Sequence, residues 1–430
     1  MCLGAGATGE AFVAAMRRAD PDAEIVLVER NLVGGECTYF ACMPSKTLLR
    51  SPELDAAGRR APGTNGGGMD AAAIFDWRDQ VIEGLDDSGH VDWLDDRRVE
   101  LVRGAARVTG PGRLEVDGEE LAWDTLVVAT GSDPLVPPEA EGLEGIWTNR
   151  EATIASEVPE SLAVLGGGAV GCELSQFYRR LGSRVTLIDV NPRIIPREHE
   201  DAAALLQEAF AEEGIEILLN ARLTRAEPGI SMRFEDGRGL EAERLLVAIG
   251  RKPNVDGLGL EQLGVKVERK GIVVDKRLRA AENVYAIGDV NGEALFTHVG
   301  KYQARVAAAA IAGGDVRADY RAIPRVLFTD PQIASVGSYE GVSAAWEVNR
   351  VPRASTYERP KRKGFVRVFA DPERRVLVGA VAVGPEAGEW LGQLTVAIRA
   401  EVPVDVLRDV IQPFPTFSEA VHFALRELPL

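Results

Sequence analysis

Two of the four cysteines stand five positions apart in Gly34-Gly35-Glu36-Cys37-Thr38-Tyr39-Phe40-Ala41-Cys42-Met43-Pro44-Ser45-Lys46. Four cysteines in 430 residues do not make a structural disulfide framework. A close pair in such a chain is either redox-active or metal-binding. Placed just after a glycine-rich nucleotide fingerprint, this pair reads as a dithiol that opens and closes a disulfide. The predicted chemistry is two-electron thiol–disulfide exchange fed by a nucleotide cofactor.

The elements that must position this pair are legible on either side of it. Gly4-Ala5-Gly6-Ala7-Thr8-Gly9 fits G-x-G-x-x-G, an apolar helical pattern follows over residues 11–19, and Ile25-Val26-Leu27-Val28-Glu29 reads as a strand ending in an acid 20 positions after Gly9. Glycines let the backbone approach a pyrophosphate at a helix N-terminus, and the acid serves a ribose hydroxyl. Only Met1-Cys2-Leu3 remain to form the strand before Gly4, so a short central strand is expected. The pattern returns: strand 162–165, then Gly166-Gly167-Gly168-Ala169-Val170-Gly171, a helix over 173–181, and a strand 184–189 ending in Asp189. Two such units imply two dinucleotides, as electron transfer from a nicotinamide to a flavin requires. Asp189 should accept a ribose 2′-hydroxyl and repel a 2′-phosphate, which favours NADH over NADPH despite Arg193 and Arg197 nearby. Apolar runs ending in Gly131, in Gly250 and in Gly288-Asp289 read as further buried parallel strands. Residues 298–311 form an alanine-rich helix, and from about 325 onward alternating strands and helices mark a separate α+β region.

Composition narrows the function classes. With 46 % hydrophobic and 27 % charged residues the chain is a globular protein. It carries no apolar run long enough for a membrane span, and no signal peptide precedes the first motif. A net charge of −17 argues against nucleic acid or an anionic membrane as partner. The run Arg359-Pro360-Lys361-Arg362-Lys363 reads as a solvated turn, Cys2 as a strand residue and Cys172 as a small packed side chain.

These motifs resemble the flavoprotein disulfide reductases of the lipoamide dehydrogenase, glutathione reductase and mercuric reductase group, over essentially the whole chain. The resemblance rests on both fingerprints, the G-G-x-C-x-x-x-x-C-x-P-S-K stretch, A-T-G-S at Ala129 to Ser132, A-I-G-R at Ala248 to Arg251, A-I-G-D at Ala286 to Asp289, and F-T-D-P-Q-I-A-S-V-G from Phe328 to Gly337. It implies an α/β fold with two Rossmann-like domains, one for FAD and one for NAD(P), and a C-terminal α+β dimerisation domain. The implied division is 1–145 with 270–322 for FAD, 146–269 for NAD(P), and 323–430 for dimerisation. It also implies a cytoplasmic homodimer whose sites borrow residues from the partner. Gly4, Gly6 and Gly9 would cradle FAD pyrophosphate, with Glu29 on the adenosine ribose. Thr130, Gly131, Ser132 and Asp289 would contact the rest of FAD. Gly166, Gly168, Gly171, Asp189 and Gly250 would serve the nicotinamide nucleotide. Lys46, paired with Glu173, would stabilise negative charge on the reduced flavin. The helix at His298 would aim its N-terminal dipole at the flavin, with His298 contacting it through its backbone. Cys42 would face the flavin and Cys37 the substrate.

The resemblance breaks at one place. The family's C-terminal H-x-H-P-T-x-S-E supplies a histidine–glutamate general base, and this chain reads Gln412-Pro413-Phe414-Pro415-Thr416-Phe417-Ser418-Glu419. Glu419 is kept, but phenylalanine accepts no proton, and general-base assistance is worth about 10²–10⁴-fold. Mercuric reductases carry a tyrosine there and a terminal cysteine pair, whereas this chain ends Glu427-Leu428-Pro429-Leu430. The expected function is an FAD-dependent NAD(P)H oxidoreductase acting on a small disulfide. The alternatives are a quinone or metal-ion reductase working from the flavin, and a flavin-bound redox sensor.

Overall fold

In the computed structural model, which describes residues 1–359 and 361–430, contacts gather the chain into two compact units. The first comprises Met1–Pro44, Asp76–Leu135 and Gly250–Asp319; the second comprises Ser45–Phe75, Val136–Ile249 and Tyr320–Leu430. The helices that matter for function are α1 (Ala7–Ala19), α2 (Gly35–Tyr39), α3 (Cys42–Arg60), α4 (Ser88–Asp95), α5 (Ala169–Arg180), α6 (Thr297–Ile311) and α7 (Ser418–Arg426).

The first unit is built on a six-stranded sheet. Its order is Arg279–Ala281, Val284–Ala286, Leu126–Val128, Cys2–Leu3, Ile25–Glu29, Val99–Arg103. Cys2–Leu3 is the central strand, parallel to both neighbours, with Cys2 opposite Leu27 and Val127. As expected it is only two residues long. The Met1 ammonium extends its anchoring by donating to the Thr125 carbonyl at 2.8 Å. The strands are apolar, and one face packs on the antiparallel strands Ala106–Gly110 and Arg113–Val116 through Val108, Leu114 and Val116. Leu3, Val28, Leu126, Val128 and Val284 are all buried in one core cluster. Residues 250–269, which the resemblance groups with the NAD(P) domain, pack against this core. Leu260 and Val265 belong to this same core, and the Val108 amide donates to the Leu258 carbonyl at 2.8 Å.

The second unit contains a five-stranded parallel sheet ordered Glu216–Leu218, Arg184–Ile188, Ser161–Leu165, Arg244–Val247, Ile146–Trp147. It also contains an antiparallel sheet ordered Pro324–Leu327, Gln332–Gly337, Val376–Gly384, Phe365–Asp371, Val342–Glu347. One core joins the two, running from Leu162 and Phe177 to Ile333, Phe369 and Val381. The alternating C-terminal strands are therefore packed on one face, with the helix Glu200–Glu212 against the strand Val376–Gly384. Pro360 lies outside the described residues. In the rest of the basic run Arg359, Lys361 and Lys363 are exposed as expected, Lys363 beside Glu208; Arg362 is the exception, 18 % exposed and paired with Asp330. The reason is the mostly buried Asp330 carboxylate, which gathers Arg60, Arg180 and Arg362 around it. Among the described residues no helix is long and apolar enough to cross a membrane, and no cluster of three metal-ligating side chains occurs.

Candidate functional site

The first unit brings the early motifs together. A Cβ on Gly9 would lie 2.1 Å from the Gly4 carbonyl oxygen, and one on Gly4 would lie 2.4 Å from that of Ala129. Only glycine lets α1 sit this close to the sheet end. Gly6 is different. Its Cβ would meet nothing nearer than 3.8 Å, and α1 has no side-chain cap. The first amides of α1 are thus open to an anion. Glu29 is already engaged, accepting from Ala5 N and Asn31 N at 2.8 Å each. It braces the glycine loop and retains lone pairs for a ribose.

Three motifs far apart in sequence converge on Ser132. Its hydroxyl donates to Asp289 Oδ2 at 2.7 Å and accepts from Arg251 Nε at 2.7 Å, while the Arg251 guanidinium also donates to the Ser132 carbonyl and lies 3.6 Å from Glu36. Burial pushes the Asp289 carboxyl up, against the pull of the Ser132 hydroxyl and the Arg251 charge. Thr130 Oγ1 donates to Asn254 O at 2.7 Å, and Asn254 N donates to Gly131 O at 3.0 Å. Gly250 accepts from Leu135 N at 3.0 Å in the same region. Arg251, Glu36 and Asn254 are residues the sequence reading missed. Arg251 stands inside the A-I-G-R motif, so the signal was present without its partner.

Cys37 lies in α2 and Cys42 is the first residue of α3. Both are free thiols, half-buried. A hydrogen bond to Cys42 is the main reason the Cys37 thiol is pushed well above its ordinary range, with burial adding to it. Cys42 has the opposite bias: it opens a 19-residue helix, where the dipole favours a thiolate. Its sulfur is 3.3 Å from Thr297 Oγ1, at the start of α6. α6 has no side-chain cap either. His298 follows Thr297 and stacks on Phe296 at 5.2 Å. Cys2 is buried in its strand as expected.

The second unit repeats the nucleotide loop. A Cβ on Gly171 would stand 1.9 Å from the Gly166 carbonyl oxygen, whereas one on Gly168 would meet nothing within 4 Å. α5 begins there with no side-chain cap. Asp189 accepts from Gly167 N at 2.7 Å and from Asn191 N and Nδ2 at 2.7 and 2.8 Å. The Arg193 guanidinium is committed to the carbonyls of Ile195, Pro196 and Glu198. Arg197 is exposed. Cys172 is fully buried, its Sγ 3.4 Å from the Gly167 carbonyl, and burial raises its thiol well above the ordinary range.

One turn into α5, Glu173 accepts from Lys46 Nζ at 2.6 Å and from Phe328 N at 2.9 Å. The Lys46 ammonium is 5.0 Å from the centre of the Phe328 ring. Glu173 is 5 % exposed, so this pair is strongly fixed on the carboxylate side. The loop behind Phe328 is held by Gln176, whose amide exchanges hydrogen bonds with Asp330 N and O at 2.8 and 2.9 Å. Asp330 in turn pairs with Arg60, Arg180 and Arg362. Glu419 lies in the first turn of α7, where its Oε2 accepts from Thr416 N at 3.3 Å. Phe414 is 73 % exposed, and Val406, Val410 and Ile411 are exposed beside it in sequence.

The two open helix N-termini fit two dinucleotide pyrophosphates, and the paired thiols fit an electron relay. The comparisons agree with that fit. Residues 1–314 match the model of the pyridine nucleotide-disulphide oxidoreductases, and residues 323–425 match the dimerisation domain of the same family. A dihydrolipoyl dehydrogenase of Thermus scotoductus is 35 % identical over 99 % of this chain and 96 % of its own length. A mercuric reductase of Acidithiobacillus ferrooxidans is 33 % identical over 97 % of this chain and 81 % of its own. Among solved structures, LpdA from Mycobacterium tuberculosis superposes with a TM-score of 0.90 at 28 % identity, covering 99 % of this chain and 98 % of that one. The copper(II) complex of the flavoprotein disulfide reductase RclA from Escherichia coli gives 0.87 at 25 %, covering 99 % and 98 %. Members of the matched family depend on FAD and use NAD(P)H. The chain therefore belongs to the pyridine nucleotide-disulfide oxidoreductases, as an enzyme that works with FAD and NAD(P)H.

Proposed function

We propose that this enzyme carries electrons from NADH to a small disulfide through the Cys37–Cys42 pair. The observation that carries the reading is the pair itself: two hydrogen-bonded free thiols, one at a helix N-terminus beside Thr297. In this reading FAD is held by the loop of Gly4, Gly6 and Gly9 with Glu29, Thr130, Gly131, Ser132 and Asp289. The nicotinamide nucleotide is held by the loop of Gly166, Gly168 and Gly171 with Asp189. The proposed functional division is 1–145 with 270–322 for FAD, 146–269 for the nicotinamide nucleotide and 323–430 for dimerisation, with residues 250–269 packed on the first unit's core. The bound flavin supplies a two-electron relay between nicotinamide and disulfide. Cys42 serves the flavin side and Cys37 exchanges with the acceptor. Lys46, fixed by Glu173, offers its positive charge to the reduced cofactor. NADH is preferred because Asp189 is buried and held by the Gly167 amide while Arg193 is committed to backbone carbonyls. The molecule works in the cytoplasm as a homodimer; the dimerisation-domain match and the exposed Val406, Val410, Ile411 and Phe414 support the dimer.

A second reading has its own observation. Phe414 and Phe417 occupy the segment where the family places its base, so a quinone or metal ion reduced at the flavin, which needs no histidine base, is the competing acceptor. NADH oxidation by FAD-loaded protein against disulfides, quinones and metal ions decides between them. The disulfide reading expects saturable turnover that Cys37→Ser abolishes. Turnover of quinones or metal ions alone, insensitive to Cys37→Ser, would favour the second.

A further inference from the structure

A cavity of about 600 Å³ opens in the first unit between α1, α4 and α6, a size suited to a small molecule. Its polar lining includes Glu10 and Arg18 from α1, His90 from α4, and Lys301 and Arg305 from α6, with Trp93 as an apolar wall. Inside it His90 Nδ1 and Glu10 Oε1 are 2.6 Å apart. Both side chains are mostly buried, at 27 % and 17 % exposure. A carboxylate on Nδ1 fixes the imidazole's orientation and leaves Nε2 for proton exchange. Among the described residues no side chain or backbone group hydrogen-bonds to Nε2.

Three elements tie this pair to the dithiol. A Cβ on Gly34 would lie 3.1 Å from both His90 Cε1 and Nε2, and the His90 and Tyr39 rings are 5.9 Å apart edge-on. Gly34 and Tyr39 flank Cys37 at either end of α2. α6 touches Cys42 through Thr297 and reaches the cavity one turn later at Lys301, about 6 Å along its axis. The Lys301 charge favours the ionised form of both Cys37 and Glu10. The histidine that relatives use as base is Phe414 here.

We propose that the cavity receives the acceptor disulfide and that His90, oriented by Glu10, is its acid–base group, standing in for the missing C-terminal histidine. This rests on the disulfide reading above. The proton that Cys37 gives up passes to the imidazole. Cys37 sulfur attacks one acceptor sulfur, forming a mixed disulfide as the acceptor S–S bond breaks. The departing thiolate takes the proton back from Nε2. Cys42 sulfur then attacks Cys37 sulfur, the Cys37–Cys42 bond closes, and the second thiolate leaves with the proton that Cys42 gave up. Two electrons and two protons pass from dithiol to acceptor, and NADH restores them through the flavin. The charged or titratable groups facing His90 are Glu10 and Arg18 on α1, Lys301 and Arg305 on α6, Glu83 and Asp87 before α4, and Tyr39 on α2.

The test uses FAD-loaded protein, reduced with dithiothreitol and desalted, and follows thiol release from bis(2-hydroxyethyl) disulfide across pH. Wild type should show a bell-shaped rate, since the thiol–imidazole pair must share one proton. His90→Gln should lose the alkaline limb and fall about 10²-fold at pH 7, and imidazole should partly rescue His90→Ala. Flavin bleaching by NADH verifies that each variant is folded and loaded. An unchanged rate and pH profile in His90→Gln would overturn the inference alone. If wild type releases no thiol from this disulfide, cystine or oxidised glutathione, the disulfide reading fails and the inference fails with it.

Discussion

Alanine at Gly168 and alanine at Gly171 should do opposite things, although both sit in one loop. The Gly171 Cβ would lie 1.9 Å from the Gly166 carbonyl oxygen, and ordinary contact begins near 3.4 Å. α5 would have to retreat by about 1.5 Å from the strand end. Overpacking of this kind costs about 1–3 kcal/mol, and it also tilts Glu173 two residues on. The Gly168 Cβ meets nothing within 4 Å, and its φ of −79° suits any residue. Its cost to the fold is a cap preference of about 0.5 kcal/mol. It would nonetheless fill the space over the open amides of α5. Losing one charge-assisted hydrogen bond to a phosphate is worth about 1.5–3 kcal/mol, or about 10–100-fold in affinity. Differential scanning fluorimetry reads the fold, and the NADH dependence of flavin bleaching reads binding. Gly168→Ala should keep its melting temperature and bind NADH at least tenfold more weakly. Gly171→Ala should melt lower. NADH binding within twofold of wild type in Gly168→Ala would refute the assignment of this loop to the nicotinamide nucleotide.

Further outcomes follow from other parts of the molecule. Asp330→Asn should cost about 3 kcal/mol in urea unfolding, the low end for breaking a buried ion pair, because Arg60 and Arg180 keep Glu358 and Glu213 as partners. Burial pushes the Asp330 carboxyl up, but Arg180, Arg362 and Arg60 more than offset it and hold it below the ordinary value. Its stabilisation is therefore complete above the unfolded value, about 3.9, and is lost as pH falls through the folded one; the variant should show less acid destabilisation than wild type between about pH 4 and 2, and an identical acid limb would contradict this. Asp189→Ala should narrow the kcat/KM preference for NADH over NADPH, and a wild type that uses NADPH equally well would remove the premise. Cys37→Ser should keep a long-wavelength thiolate–flavin absorption band in the oxidised enzyme and Cys42→Ser should lack it; the reverse pattern would exchange the two roles. Phe414→His should raise disulfide reduction if the position faces the acceptor, and no response of disulfide or quinone turnover would show that it does not.

The sequence by itself determined the features that depend on local backbone geometry. Glycine at 4, 9, 166 and 171 is required because a helix meets a strand end within a few residues, so spacing alone displays it. The short central strand, the helix after Phe296 and the C-x₄-C pair are likewise contained in short windows. The tertiary structure decided which charges matter. Arg251 meets Ser132 across 119 residues, Asp330 meets Arg180 across 150 and Arg60 across 270, and His90 meets Glu10 across 80. In sequence each of these is one charged residue among many, indistinguishable from a solvated one. Their roles arise only when burial removes water and leaves the opposite charge as the partner that offsets desolvation. Packing also assigned residues 250–269 to the first unit. The apolar pattern of that segment announces that it must be buried, but not against which core.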